Sequence, residues 1–241
     1  LLFDRSGEVL HRYTPASRIL GIAITADGRT VYAGTGAGLQ VFSAESELAT
    51  AGTIWPSGTE DPIGSVSIDG EGSGIVAGGD SGNIYFFSQD GRLLWNYRTG
   101  NSGIRVVISH DGSTIAAVSS RQTVYLLNRH GRLLWKSPAD GRAVDLSLSE
   151  DGSTLVLAGE GISVLKRDKT ALWRGVIGED IRCVFASPDT TRIIAGALDG
   201  TVSVFRLQPE AHATGTPSPD AFSTTKPPQT SVAPDNGQIT P

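Results

Sequence analysis

Ser88–Tyr97 reads SQDGRLLWNY, and the way this stretch returns decides the fold. Forty residues on, Asn128–Ser137 reads NRHGRLLWKS; thirty-eight further, Lys166–Gly175 reads KRDKTALWRG. Asp4–Tyr13, DRSGEVLHRY, is a worn copy near the start. A second marker keeps step with the first. Turn acids fall at Asp27, Glu71, Asp111, Asp151 and Asp189, spaced 44, 40, 40 and 38 residues apart. One structural unit of about forty residues is therefore copied five times, and such a period points to a solenoid, propeller or array.

Each period carries four short runs of Ile, Val, Leu and aromatics, separated by Gly, Asp, Asn and Ser, as strands and their turns require. In the third copy these are Ile104–Ser109 (strand a), Thr114–Val118 (b), Thr123–Leu127 (c) and Arg132–Lys136 (d). No segment sustains a helical period. Several runs are apolar on both sides, which suits strands buried on both faces. Four strands per forty residues, radially repeated, predict an all-β β-propeller of about five visible four-stranded blades over residues 1–208. Leu1–Phe3 reads as a strand c and Glu8–Tyr13 as a strand d, while the last copy supplies only a, b and c. Two closures stay open. The early strand d completes the last blade and closes a five-bladed ring, or the blades belong to a larger ring of six to eight. With no Met anywhere, the chain reads as a processed form or an excerpt.

Residues 209–241 differ in kind. They hold seven of the 12 Pro, many Ser and Thr, and few large apolar residues, the composition of a disordered tail or stalk. The net charge of −5, with no basic block, argues against nucleic acid or an anionic membrane as partner. No apolar run approaches the length of a membrane span. The single cysteine, Cys183, lies in the apolar run IRCVFA and reads as a small buried hydrophobe that forms no internal disulfide.

The unit "S-x-D-G-S-T-I-A-A … V-Y-L-L-N-R-x-G-R-L-L-W-K" resembles repeats of the WD-repeat and pyrroloquinoline-quinone-type propeller superfamilies. Asp111-Gly112 and Asp151-Gly152 stand where WD repeats have an SPDG turn, and Ser187-Pro188-Asp189 matches three of those letters. Asp90-Gly91…Trp95 is similar to the tryptophan-docking motif of quinone-type propellers. The Gly-His and Trp-Asp dipeptides of WD repeats are absent. Quinone-dependent enzymes of the family use a vicinal disulfide and a calcium site; one cysteine cannot supply the first, and no ligand set for the second can be placed. The resemblance therefore implies a non-catalytic, surface-type member without a cofactor.

The residues that vary between copies carry the functional expectation. Six residues before each turn acid stand Gly21, Ser65, Arg105, Asp145 and Cys183. Inner strands of a propeller line its channel, so Arg105 and Asp145 are placed there, either as a structural ion pair or as ligand contacts. The d–a loops vary most, and variable loops on a rigid scaffold are where binding resides. Arg18 and Arg142 end two of these loops, and Arg182 follows a third. Trp55, in the loop Trp55–Pro62, either anchors a partner or packs on a neighbouring strand. Trp95, Trp135 and Trp173 share one slot and read as packing between blades. The repeated Asp-Gly pairs lack the alternate oxygen ligands of a calcium loop and read as tight turns; the four His do not cluster, so no metal is expected. Gly34–Gly38 opens no helix and makes no phosphate cradle. The expected function is a monomeric, non-catalytic scaffold at a prokaryotic cell surface. It would display its d–a and b–c loops on one ring face to a protein or glycan. The alternatives are a quinone-dependent oxidoreductase and a purely structural repeat of a larger surface protein.

Overall fold

The computed structural model describes residues 2–4, 6–12, 17–43, 53–54, 61–176 and 180–207. These form 21 strands and no helix. The third repeat is the simplest to follow. Strands β11 (Arg105–Ile108), β12 (Thr114–Val118), β13 (Thr123–Asn128) and β14 (Leu133–Pro138) form one antiparallel meander in chain order. The same meander recurs in three other blades. They are β3–β6 (Ile19–Ile24, Thr30–Thr35, Gly38–Ser43, Thr53–Ile54), β7–β10 (Ile63–Ile68, Gly74–Gly79, Asn83–Ser88, Leu93–Arg98) and β15–β18 (Ala143–Leu148, Thr154–Gly159, Gly161–Lys166, Ala171–Val176). The fifth blade has three strands, β19 (Ile181–Ala186), β20 (Arg192–Ala197) and β21 (Val202–Arg206).

The a–b turns explain why the acids recur. In four blades a hydroxyl two residues earlier donates to the acid and accepts an amide across the turn. Ser149 Oγ donates to Asp151 at 2.7 Å and accepts the Thr154 amide at 2.9 Å; Thr25–Asp27, Ser109–Asp111 and Ser187–Asp189 repeat the arrangement. The next residue takes a left-handed backbone, with φ of +73°, +72°, +68° and +62° at Gly28, Gly72, Gly112 and Gly152. In blade 5 the slot holds Thr190 at φ +54°. The turns need these carboxylates as acceptors. The Ser153 amide and Ser149 hydroxyl hold Asp151 below the usual carboxylate range; the Thr25 and Ser187 hydroxyls do the same for Asp27 and Asp189. The expectation of turns is met, and no cluster of three or more potential metal ligands occurs among the described residues.

Blades pack face to face, so the middle strands are dry on both sides: β8, β12 and β16 are buried throughout, while outer strands β10 and β14 alternate half-buried with exposed. Each shared face is its own apolar core. Ile75 and Tyr32 meet between blades 1 and 2, Ile115 and Phe86 between 2 and 3, Leu155 and Leu126 between 3 and 4, and Ile193 and Val164 between 4 and 5. The tryptophans fasten these faces. Trp95 Nε1 donates to the Arg129 carbonyl in the next blade at 2.8 Å, and Trp135 Nε1 to that of Arg167 at 2.7 Å. The Trp95 indole also lies on Gly131, whose φ is +77° and whose missing Cβ leaves room for the ring.

Five blades share four cores, so the described residues form an open arc. No substantial contact joins β19 to β3. Ile194 is 43% exposed, whereas Tyr32, Val76, Ala116 and Val156, its equivalents in the other blades, are at most 1% exposed. At the other end Ile22 is 68% exposed, whereas its equivalents Val106, Leu146 and Val184 are under 10% and Val66 is half-buried. Of the two closures left open, the described residues do not form the five-bladed one: strand β2 (Val9–His11) pairs with β1 (Leu2–Phe3) in a separate hairpin. One expectation is corrected. Cys183 is exposed rather than buried, because its apolar strand lies on the last blade and nothing stacks on the far side. The boundary at residue 208 and the 209–241 segment lie outside the described residues. No helix among the described residues is long and apolar enough to cross a membrane.

Candidate functional site

The d–a loops and b–c turns do share one face, and a single recurring hydrogen bond holds them together. The amide of the b–c turn donates to the carbonyl before strand a in every blade. The pairs are Gly36 to Arg18 (3.3 Å), Asp80 to Pro62 (2.9 Å), Ser120 to Ser102 (3.1 Å), Glu160 to Arg142 (3.2 Å) and Leu198 to Asp180 (2.9 Å). Side chains reinforce it. Asp61, itself buried, accepts from the Ser81 amide and hydroxyl and from Tyr85 Oη. In the next blade Tyr125 Oη donates to the Thr99 carbonyl and accepts from Asn101 at 2.8 Å. Tyr85 and Tyr125 share one slot of strand c. The repeated Tyr in NIYFF and TVYLL was the sequence signal for this anchor.

On this face, where the inner strands of blades 3, 4 and 5 begin, lies a cavity of about 270 Å³. Arg105, Arg142 and Arg182 line it, with Ser119 and Ser120 on the blade 3 side. The pairing register shifts between Ile181 and Cys183 and between Ala143 and Asp145. Such bulges re-aim side chains. They explain how Arg182, the residue inside the shift, reaches a cavity bounded by the preceding blades.

Two carboxylates face these three guanidiniums. Asp145 lies 3.8 Å from Arg105 Nη1, and Asp180 lies 4.0 Å from both Arg142 and Arg182. The three separations sit at the outer limit of an ion pair. The arginine side chains remain 43–59% exposed, so each retains free donors. Asp145 is also committed elsewhere: its Oδ2 accepts the Val184 amide across the blade interface at 2.9 Å. Burial, the largest influence on it, pushes its pKa up, against the lowering by that amide and by Arg105. The group is structural first. It caps the edge of β19, as Ser65 and Ser147 cap the edges of β11 and β19 in the same way.

The structure thus brings together four of the six residues singled out in the sequence. Arg105 and Asp145 are the adjacent pair expected at the channel. Arg142 and Arg182 join them through Asp180. Arg18 stands at the same slot in blade 1, with its carbonyl in the recurring hydrogen bond and outside this cavity. Trp55 lies outside the described residues. One cluster escaped the sequence reading. Arg129 Nη1 bonds Asp69 Oδ2 at 2.9 Å and Nη2 bonds Ser73 Oγ at 2.9 Å, while the guanidinium covers the Phe86 ring. It is a strut between blades 2 and 3, at the turn end opposite the cavity.

Comparison with known proteins bears on the architecture. The model of the WD domain, G-beta repeat, matches residues 175–206, which span the last repeat. The crystal structure of the Myceliophteria thermophila Cps50 (Swd1) beta-propeller domain superposes with a TM-score of 0.68 at 11% identity, covering 83% of this chain and 68% of that one. The fold is a β-propeller. At that identity the likeness speaks to fold alone, and no curated protein matches the chain. Within the propeller, the arginine cavity sits where inner strands and variable loops meet, and its free donors fit carboxylate or phosphate oxygens.

Proposed function

We propose that this propeller is a non-catalytic scaffold, working at the cell surface, that holds an acidic segment of a protein partner in the cavity lined by Arg105, Arg142 and Arg182. The observation that carries the reading is the charge imbalance: three permanently charged guanidiniums converge on two carboxylates, at separations too long for full pairing. A neutral glycan offers these groups no charge to meet, so a protein carboxylate is the better fit. The match of the last repeat to the WD domain supports a protein-binding scaffold. The tied loop face supplies the rigid surround that reduces the entropic cost of binding. The Pro/Ser/Thr-rich composition of residues 209–241 supports placement on a stalk.

The test is fluorescence anisotropy with labelled hexaglutamate, with hexalysine as control, at low and at physiological salt. Hexaglutamate should bind, hexalysine should not, and salt should weaken the complex. The triple variant Arg105→Ala/Arg142→Ala/Arg182→Ala should lose at least tenfold in affinity while melting near the parent temperature. Equal affinity in the triple variant would remove the cavity from consideration.

A further inference from the structure

We infer that Gln122 is a positioning residue for the arginine cavity: its side chain spaces the b–c turn of blade 3 from strand a of blade 4 and so sets Arg142 in place. The inference rests on the anion-binding reading of that cavity and names a residue that shapes it.

Gln122 ends the b–c turn of blade 3 in a conformation that L side chains avoid, with φ of +60°. Blades 2 and 5 fill the same slot with Gly82 at +95° and Gly200 at +85°. The turns are otherwise alike. The Gln122 amide donates to the Ser119 carbonyl at 2.9 Å, as Gly82 does to Gly79 and Gly200 to Ala197, both at 3.2 Å. Three-residue hairpin loops commonly place glycine at this left-handed position. A strained residue held where glycine is at ease points to a task for its side chain.

The task is visible at the next blade. Gln122 Oε1 accepts the Ala143 amide at 2.5 Å, where strand a of blade 4 begins. The carbonyl of the same peptide, that of Arg142, accepts the Glu160 amide at 3.2 Å. The Arg142–Ala143 peptide is thus gripped on both sides. That grip fixes the Cα from which the Arg142 side chain reaches the cavity.

One blade earlier the grip is made by backbone alone. Gly103, forty residues before Ala143, donates its amide to the Asp80 carbonyl at 3.1 Å. There the d–a loop also closes onto the turn glycine, so that a Cβ on Gly82 would run into the Asn101 carbonyl oxygen. Between blades 3 and 4 a side-chain amide takes the place of that backbone carbonyl. The walls it holds apart are walls of the cavity: Ser119 and Ser120 of the turn on one side, Arg142 and Ala143 on the other. Gln122 is not itself a lining residue, so it acts through the strand it holds.

The experiment measures hexaglutamate affinity by fluorescence anisotropy, and melting temperature, on the same variants of the 241-residue chain. Gln122→Gly eases the backbone and lets the turn close directly on Ala143, as in blade 2. It should bind hexaglutamate roughly fivefold more weakly, because a loosened Arg142 must be ordered on binding. It should nevertheless melt within about 2 °C of the parent, since relief of the left-handed backbone offsets the lost hydrogen bond. Gln122→Asn, at ease in the same conformation but one methylene short, should weaken binding likewise. In an Arg142→Ala background Gln122→Gly should weaken binding by less than about twofold further, because Arg142 is the group it holds. Unchanged affinity in both single variants would overturn the inference and leave the cavity's anion binding standing. So would an equal loss with and without Arg142, or a loss of affinity that tracks a fall in melting temperature across the variants. A parent that binds no better than Arg105→Ala/Arg142→Ala/Arg182→Ala would remove the reading of the cavity and this inference together.

Discussion

At the scale of single residues, the most consequential side chain is Arg129. It spans two blades, and Asp69, its partner, is buried. Replacing it by Ala strands that carboxylate without a cation, which costs about 3 kcal/mol in such settings. A chain of this size should then melt roughly 6–12 °C lower by circular dichroism. Arg129→Lys should recover less than half, because one ammonium cannot reach Asp69 and Ser73 while lying over Phe86. Asp145 gives a pH signature of opposite sign to the turn acids. Burial raises its pKa, so the unfolded carboxyl ionises first as pH rises, and stability from this group falls above about pH 4. The turn acids, held low, lose their contribution only as pH falls. Asp145→Asn keeps a carbonyl oxygen for the Val184 amide and removes the ionisation. Its melting temperature relative to the parent should rise between pH 3.5 and pH 7; a gap that stays constant with pH would contradict this. Neither Arg129–Asp69 nor Asp145–Val184 was legible in the sequence. Their partners lie 60 and 39 residues apart, and only the stacking of blades brings them together.

At the scale of elements, the turns show how far a repeat can be read by copying. The a–b turn takes a left-handed residue in every blade, and four blades supply Gly. In the fifth, β-branched Thr190 bears a backbone cost of about 1–2 kcal/mol. Glycine recovers that cost less the extra chain entropy of about 0.5–1 kcal/mol. Thr190→Gly should therefore stabilise slightly, by about 0.5 kcal/mol. The reverse change in blade 4, Gly152→Thr, should destabilise clearly, because a Cβ there would strike the Thr114 side chain. Paired denaturant titrations decide it, and the same sign for both variants would count against the shared-slot argument. Strand positions were legible because the Trp and Asp-Gly markers set the period, and β12 falls on the predicted Thr114–Val118. The bulges were not. One extra residue in strand a leaves the hydrophobic pattern intact, yet it aims Arg182 into the cavity.

At the scale of the whole molecule, the sequence was informative about what repeats and silent about what ends. The apolar run IRCVFA read as burying Cys183, and its exposure, like that of Ile194 beside the buried Tyr32, Val76, Ala116 and Val156, shows the limit of reading burial from composition. Burial belongs to the neighbour as much as to the residue. The arginine cavity was half legible: Arg105 and Asp145 stood out in one slot of adjacent copies, whereas Asp180 as the link to Arg142 and Arg182 needed the curvature of the arc. The stacking of equivalent slots has a consequence for heredity. Each repeat packs on the one before and the one after, with the indole-to-next-turn bond recurring at Trp95 and Trp135. A gene that duplicates or deletes one forty-residue segment keeps the backbone slots of the surviving junctions, while struts such as Arg129–Asp69 come and go with their own blades. Lineages carrying this propeller should therefore differ in length by whole repeats, while fractional insertions gather in the d–a loops, where no junction is interrupted.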